Sequence, residues 1–139
     1  MNQKDRKILE GLVKQLHSVL LALINLEVAH EAKMPDAGVF QEILPQITTL
    51  AEGAESLYEV LQERFDNALE WRQESDWGTT LTDEIESLTN LADYCTALRD
   101  SIEDWINSLT EESATEEDQQ AAWDNIWREK DELEGWEIA

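Results

Sequence analysis

An all-α fold, an antiparallel bundle of three long helices and one short C-terminal helix, is predicted by three observations. Apolar residues recur at steps of three and four along most of the chain. No stretch shows the alternating β-branched pattern of a strand. Pro and Gly are scarce, two and five in 139 residues, which leaves long uninterrupted segments. Length and apolar content fit a single domain over residues 1–139 with a modest core.

The first helix is expected over about residues 3 to 32, on Leu9, Leu12, Leu16, Val19, Leu23 and their neighbours Ile8, Val13, Leu20, Ile24 and Val28. Leu21 and Leu26 fall outside one stripe, so this helix is apolar over much of its circumference and suits a central position or a second subunit. Its most apolar stretch, Val19 to Ala29, is shorter than a bilayer span and carries Asn25 and Glu27, so no membrane contact is expected. Pro35 and Gly38 mark the break, with Asp36 placed to cap.

A second helix is expected from about Val39 into the low seventies, on Phe40, Ile43, Ile47, Leu50, Ala54, Leu57, Leu61 and Phe65. Pro45 is tolerated if regular helix starts near Leu44. The next loop is placed at Gln73 to Thr80, and Thr80-Leu81-Thr82-Asp83 reads as a capping box for the third helix. Its stripe is Leu81, Ile85, Leu88, Ala92, Cys95, Leu98, Ile102, Trp105 and Leu109, so Cys95 is expected as a buried thiol. The last helix starts near Ser113 or Thr115, with Asp118 three residues beyond Thr115, and shows a sparse apolar edge of Trp123, Ile126, Trp127 and Leu133. Shifting the chain by 41 positions lays Leu44–Leu61 over Ile85–Ile102, a faint internal repeat that any two amphipathic helices can imitate.

Charge divides the chain unevenly. Residues 1–34 hold five Lys/Arg against four Asp/Glu, whereas the remainder holds five against twenty-eight. Nearly all of the net charge of −22 therefore lies beyond the near-neutral first helix, and residues 110–139 form a very acidic segment with few core positions, expected to be partly flexible. Such a field repels nucleic acid and anionic lipid, which excludes direct nucleic-acid binding. A single cysteine and a start, MNQKDRKILEGL, without signal-peptide character lead to a cytoplasmic expectation.

Catalytic and metal motifs are sparse. His17 and His30 are thirteen residues apart on one helix. Glu27-x-x-His30 has the spacing of half a carboxylate-bridged di-metal site, but the second copy is missing. Glu52/Glu55 and Glu63/Asp66 have the spacing of Mg²⁺-binding pairs in all-α nucleotide hydrolases, a spacing frequent by chance in so acidic a chain. Arg64, Arg72, Arg99, Arg128 and Lys130 are too scattered to grip a triphosphate. No catalytic residue, metal or cofactor is assigned, and an enzyme is not expected.

The stretch FDNALEWRQESDWG, residues 65–78, resembles a helix–loop–helix motif of small acidic proteins of tailed phages. The motif runs aromatic-Asp-Asn-x-Pro-Glu-x-x-Gln-x-Ser-acidic-x-Gly, and Phe65, Asp66, Asn67, Glu70, Gln73, Ser75, Asp76 and Gly78 fit it. Leu69 replaces the proline, so the preceding helix is expected to run on. The resemblance implies a phage or prophage origin and no activity. Read as loop geometry, the motif makes Asn67 and Ser75 caps and gives Gly78 a positive φ.

The acids themselves suggest a use. Carboxylates three or four residues apart on a helix lie about 5–6 Å apart, and rows of them can imitate the phosphate charge of DNA. The expected partner-binding face is Asp83, Glu86, Asp93, Asp100, Glu103 and Asp104 on the third helix, continued by Glu111, Glu112, Glu116, Glu117, Asp118 and Asp124. Helix two adds Glu52, Glu55, Glu59, Glu63 and Asp66. Trp123, Trp127 and Trp136 either pin the last helix to the bundle or stand among the acids as contact residues; Trp136 is expected to be the most exposed. The function expected is that of a phage-type inhibitor, anti-restriction or anti-CRISPR in kind, acting by DNA mimicry on a basic host complex. The alternative is a homo-oligomeric structural or adaptor protein, with a homodimer through the first helix and acidity serving solubility.

Overall fold

The Asn2 side chain accepts a hydrogen bond from the Asp5 N–H, and the Asp5 carboxylate takes the Asn2 N–H in return. This reciprocal box opens α1 (Gln3–Ala29) in a computed structural model that describes residues 1–31 and 33–138. The helix ends at Ala29 with His30 as its C-cap, short of the expected end at Ala32, which lies outside the described residues. A 3₁₀ turn at Ala37–Phe40 follows, closed by backbone hydrogen bonds; the Asp36 side chain makes no cap.

Helix α2 (Ile43–Asp66) carries Pro45 in its first turn, where a missing N–H leaves no intrahelical bond broken. It does not run into the seventies. The Gln73 side-chain amide donates to the Phe65 and Ala68 carbonyls at 2.8 and 3.2 Å, closing the turn that ends α2. Asn67 is the C-cap, as its position in the motif suggests. Leu69 takes φ −63° and ψ 148°, the φ a proline would impose, and opens the single-turn α3 (Glu70–Gln73).

Helix α4 (Asp76–Thr110) starts four residues before Thr80, so the predicted box there goes unused. Ser75 occupies the N-cap position, but its hydroxyl donates back to the Arg72 carbonyl. Gly78 lies inside the helix, and none of the described residues has a positive φ. Glycine is required for a different reason: a Cβ here would overlap the Gln73 carbonyl group and sit 2.8 Å from the Gln73 Cα. Helix α5 (Glu116–Glu134) opens on the Thr115/Asp118 box read from the sequence and is regular throughout.

All described elements are helical, and α4 is the common support, packing α2 and α5 against itself while α1 lies mainly on α2. Asp5 near the start of α1 meets Arg64 near the end of α2. Val60 and Arg64 share a pocket with Trp77 at the start of α4, and the Trp136 indole donates to the Ser87 carbonyl at 2.6 Å. Successive long helices therefore run antiparallel. Cys95 is fully buried in the α4 stripe, and burial pushes its thiol pKa up to about 12. An aromatic cluster joins the 3₁₀ turn, α4 and α5: Phe40 meets Trp105 edge-on at 5.5 Å, Trp105 meets Trp123 at 4.8 Å, and Trp123 meets Trp127 at 5.2 Å.

Gly78→Ala should destabilise the protein by about 1–3 kcal/mol, because backbone must move. Gly53→Ala should cost less than about 1 kcal/mol, since its new methyl meets only the movable end of Leu12 and gains helix propensity. Urea denaturation of the two variants checks the contrast. Trp123→Ala should cost about 3–5 kcal/mol and raise amide exchange across α5 before the other helices.

Candidate functional site

Helix α4 buries one face, and the residues between its core positions point to water. Asp83, Glu86, Asp93, Asp100, Glu103 and Asp104 are all exposed, as are Glu111, Glu112, Glu116, Glu117, Asp118 and Asp124 after them. The five acids expected on α2 are exposed too. Among the described residues, Asp100 alone of the α4–α5 set has a cation beside it, Arg99 at 3.4 Å. Asp118 is engaged in the cap of α5, and Asp124 accepts from Gln120 at 2.9 Å.

The helices add an order that steps of three and four do not convey. Glu86, Asp93 and Asp100 recur every seven residues on α4, and Glu117, Asp124 and Asp131 do so on α5. At 1.5 Å per residue each step is about 10.5 Å. The surface is thus two ruled lines of carboxylates on rigid supports.

The tryptophans divide differently. Trp123 is only 7% exposed and belongs to the core, so its place among contact residues is corrected: its indole fills the space between Phe40, Trp105 and Trp127. Trp127 and Trp136 are half-buried and packed on the core, and Trp136 is held by its bond to Ser87 rather than standing free. The indole most open to solvent is Trp71 on α3, 68% exposed.

Arg64, Arg72 and Lys130 are placed at joints between helices, whereas Arg99 and Arg128 bond residues of their own helix. Lys130 is buried and reaches Glu27 of α1 at 3.3 Å, Asp131 at 3.0 Å and Glu134 at 3.6 Å. Burial disfavours its charge, but Asp131 and Glu27 outweigh that and raise its pKa. Glu27 thus serves an inter-helix ion pair, and no group of three His, Cys, Asp or Glu among the described residues converges on a point suited to a metal. Arg72 lies over the Trp77 ring at 4.0 Å and stiffens the α3–α4 turn.

Helix α1 is apolar in character beyond Val19–Ala29. At 27 residues, with an 18-residue window of mean hydropathy 1.4, it is long and apolar enough to cross a membrane by length and composition. Only 28% of that window is buried within the protein. No protein-family model, curated protein or solved structure matches this chain.

Asp5, buried at 2% exposure, was not singled out by its sequence context. Burial alone would raise its pKa, but the Arg64 hydrogen bond, the Asn2 N–H and the charges of Arg64 and the amino terminus bring it below the ordinary carboxylate value. The stabilisation from this carboxylate is therefore complete above about pH 4 and is lost as pH falls through the lowered folded-state value. Asp5→Asn should cost about 1–3 kcal/mol at neutral pH, and its stability deficit against the unmodified chain should shrink on acidification below pH 4. Urea titrations at a series of pH values check both statements.

Proposed function

We propose that this protein is a non-enzymatic inhibitor that occupies a basic nucleic-acid-binding surface by presenting DNA-like charge. The observation that carries the reading is the unneutralised carboxylate array on α4 and α5. Soluble helices ordinarily interleave Lys with Glu and gain stability from the pairs. Here, among the described residues, Asp100 and Asp131 alone of the two carboxylate lines have a cation within ion-pair distance, Arg99 and Lys130. The helices hold the charges in place before contact, which favours rapid, steered encounter with a cationic groove. A host restriction, CRISPR or other nucleic-acid-processing complex in the bacterial cytoplasm supplies such a groove. The likeness of residues 65–78 to the phage motif supports that setting. Trp71, open to solvent, adds short-range affinity at the edge of the contact.

The test uses a variant in which Glu86, Asp93, Asp100, Glu117 and Asp124 become Gln or Asn. Asp118, Asp131 and Glu134 are kept because they cap α5 or hold Lys130. Tagged unmodified protein should recover a nucleic-acid-binding complex from bacterial extract, and added duplex DNA should compete. The variant should bind that complex about tenfold or more weakly, with a shallower salt dependence. Equal recovery by both forms, or no competition by DNA, would remove the charge-mimic reading.

A further inference from the structure

Helix α1 has two apolar seams. The inner one, Leu9, Leu12, Leu16, Val19, Leu23 and Leu26, alternates steps of three and four, and its central members are buried. The outer one follows the same alternation about five residues out of phase and is apolar at Leu21, Ile24 and Val28, with the polar Lys14 and His17 continuing the line towards the amino terminus. Leu21 and Val28 are 61% and 68% exposed, Ile24 is half-buried, and His17 is exposed. Two seams on one helix explain why its mean hydropathy is that of a span while so little of it is covered.

We propose that a second copy of this chain covers the outer seam, the two α1 helices packing antiparallel about a twofold axis near Leu21. Steps of three and four are those that let apolar side chains interlock between two helices. An isologous contact needs one patch that is complementary to itself, and a short apolar seam satisfies that. Charge selects the face. Two molecules of net charge −22 repel through any acid-bearing surface, and α1 belongs to the one near-neutral segment, residues 1–34. In this register Glu31 of one copy, just past the end of α1, faces Gly11 of the other between Glu10 and Lys14, so both signs meet there and the ends of the contact stay near neutral. From His17 to Val28 the seam is about 16 Å long, so the contact is small and the dimer reversible.

This contact is independent of the acidic face, and salt separates the two. Added salt screens the repulsion between copies and strengthens the dimer, whereas it weakens a complex between the acidic face and a basic groove. Sedimentation equilibrium over micromolar to millimolar protein, at about 0.05 and 0.5 M salt, should show a monomer–dimer equilibrium that tightens with salt. The double variant Leu21→Glu, Val28→Glu should weaken association by about tenfold or more, with unchanged far-ultraviolet circular dichroism and melting temperature because both side chains are exposed. Val60→Glu, which alters an exposed apolar residue on α2, should leave the dimer intact. A monomer at every concentration and salt level overturns the proposal, as does a dimer that persists in the double variant. Co-flotation of the unmodified protein with neutral phosphatidylcholine vesicles, lost in the double variant and without self-association, would overturn it in favour of a lipid surface.

Discussion

The buried stripe of α4 is the interaction on which the rest of the structure depends. Leu88, Leu91, Cys95, Leu98 and Ile102 are fully buried along it. Helix α2 and helix α5 both pack on α4, while α1 is held mainly through α2. A chain of net charge −22 stores self-repulsion that ion pairs cannot offset, since it has ten bases for thirty-two acids. Apolar burial has to exceed that repulsion together with the conformational entropy of ordering the chain.

Scarcity of cations explains where they are found. Arg64 holds Asp5, joining α1 to α2, and Lys130 holds Glu27, joining α5 to α1. Each lies where two helices meet and where at least one partner is shielded from solvent. Pairing is strongest in such places, whereas an exposed pair contributes little. Cations used at the joints are absent from the outer faces of α4 and α5. The same allocation that secures the fold therefore leaves most of the carboxylate lines without a cation, Asp100 beside Arg99 and Asp131 beside Lys130 being the exceptions among the described residues.

Much of the fold was legible because buried positions on a helix repeat with its period. The stripes of α2 and α4, the thiol at Cys95, the Pro45 start and the Thr115 cap all follow from spacing or local chemistry. The α3–α4 boundary was not legible. It is fixed by Gln73 reaching the Phe65 carbonyl eight residues away and by the close approach of Gly78 to Gln73, neither of which has a local signature. Trp123 was ambiguous because α5 is polar in sequence, and its burial depends on Phe40 and Trp105, both far along the chain. Asp5 and Arg64 are 59 residues apart and meet only once α1 and α2 pack. The exposure of the acidic residues was legible, because they alternate with the core positions of α4 and α5.

Charge and apolarity are segregated along this chain, and the segregation has a physical consequence. Acidic residues spread evenly would leave every face equally repulsive to another copy and equally weak as a field. With twenty-eight of thirty-two beyond residue 34, they sum to a directed potential and leave α1 near neutral. The acidic face attracts basic surfaces over a Debye length, whereas the outer seam of α1 acts only on contact. Joining copies through α1 would carry two acidic faces in one particle, with the like charges held on opposite sides of the seam. In the proposed reading, association with a basic target and association with itself would use different elements, and ionic strength would drive them in opposite directions.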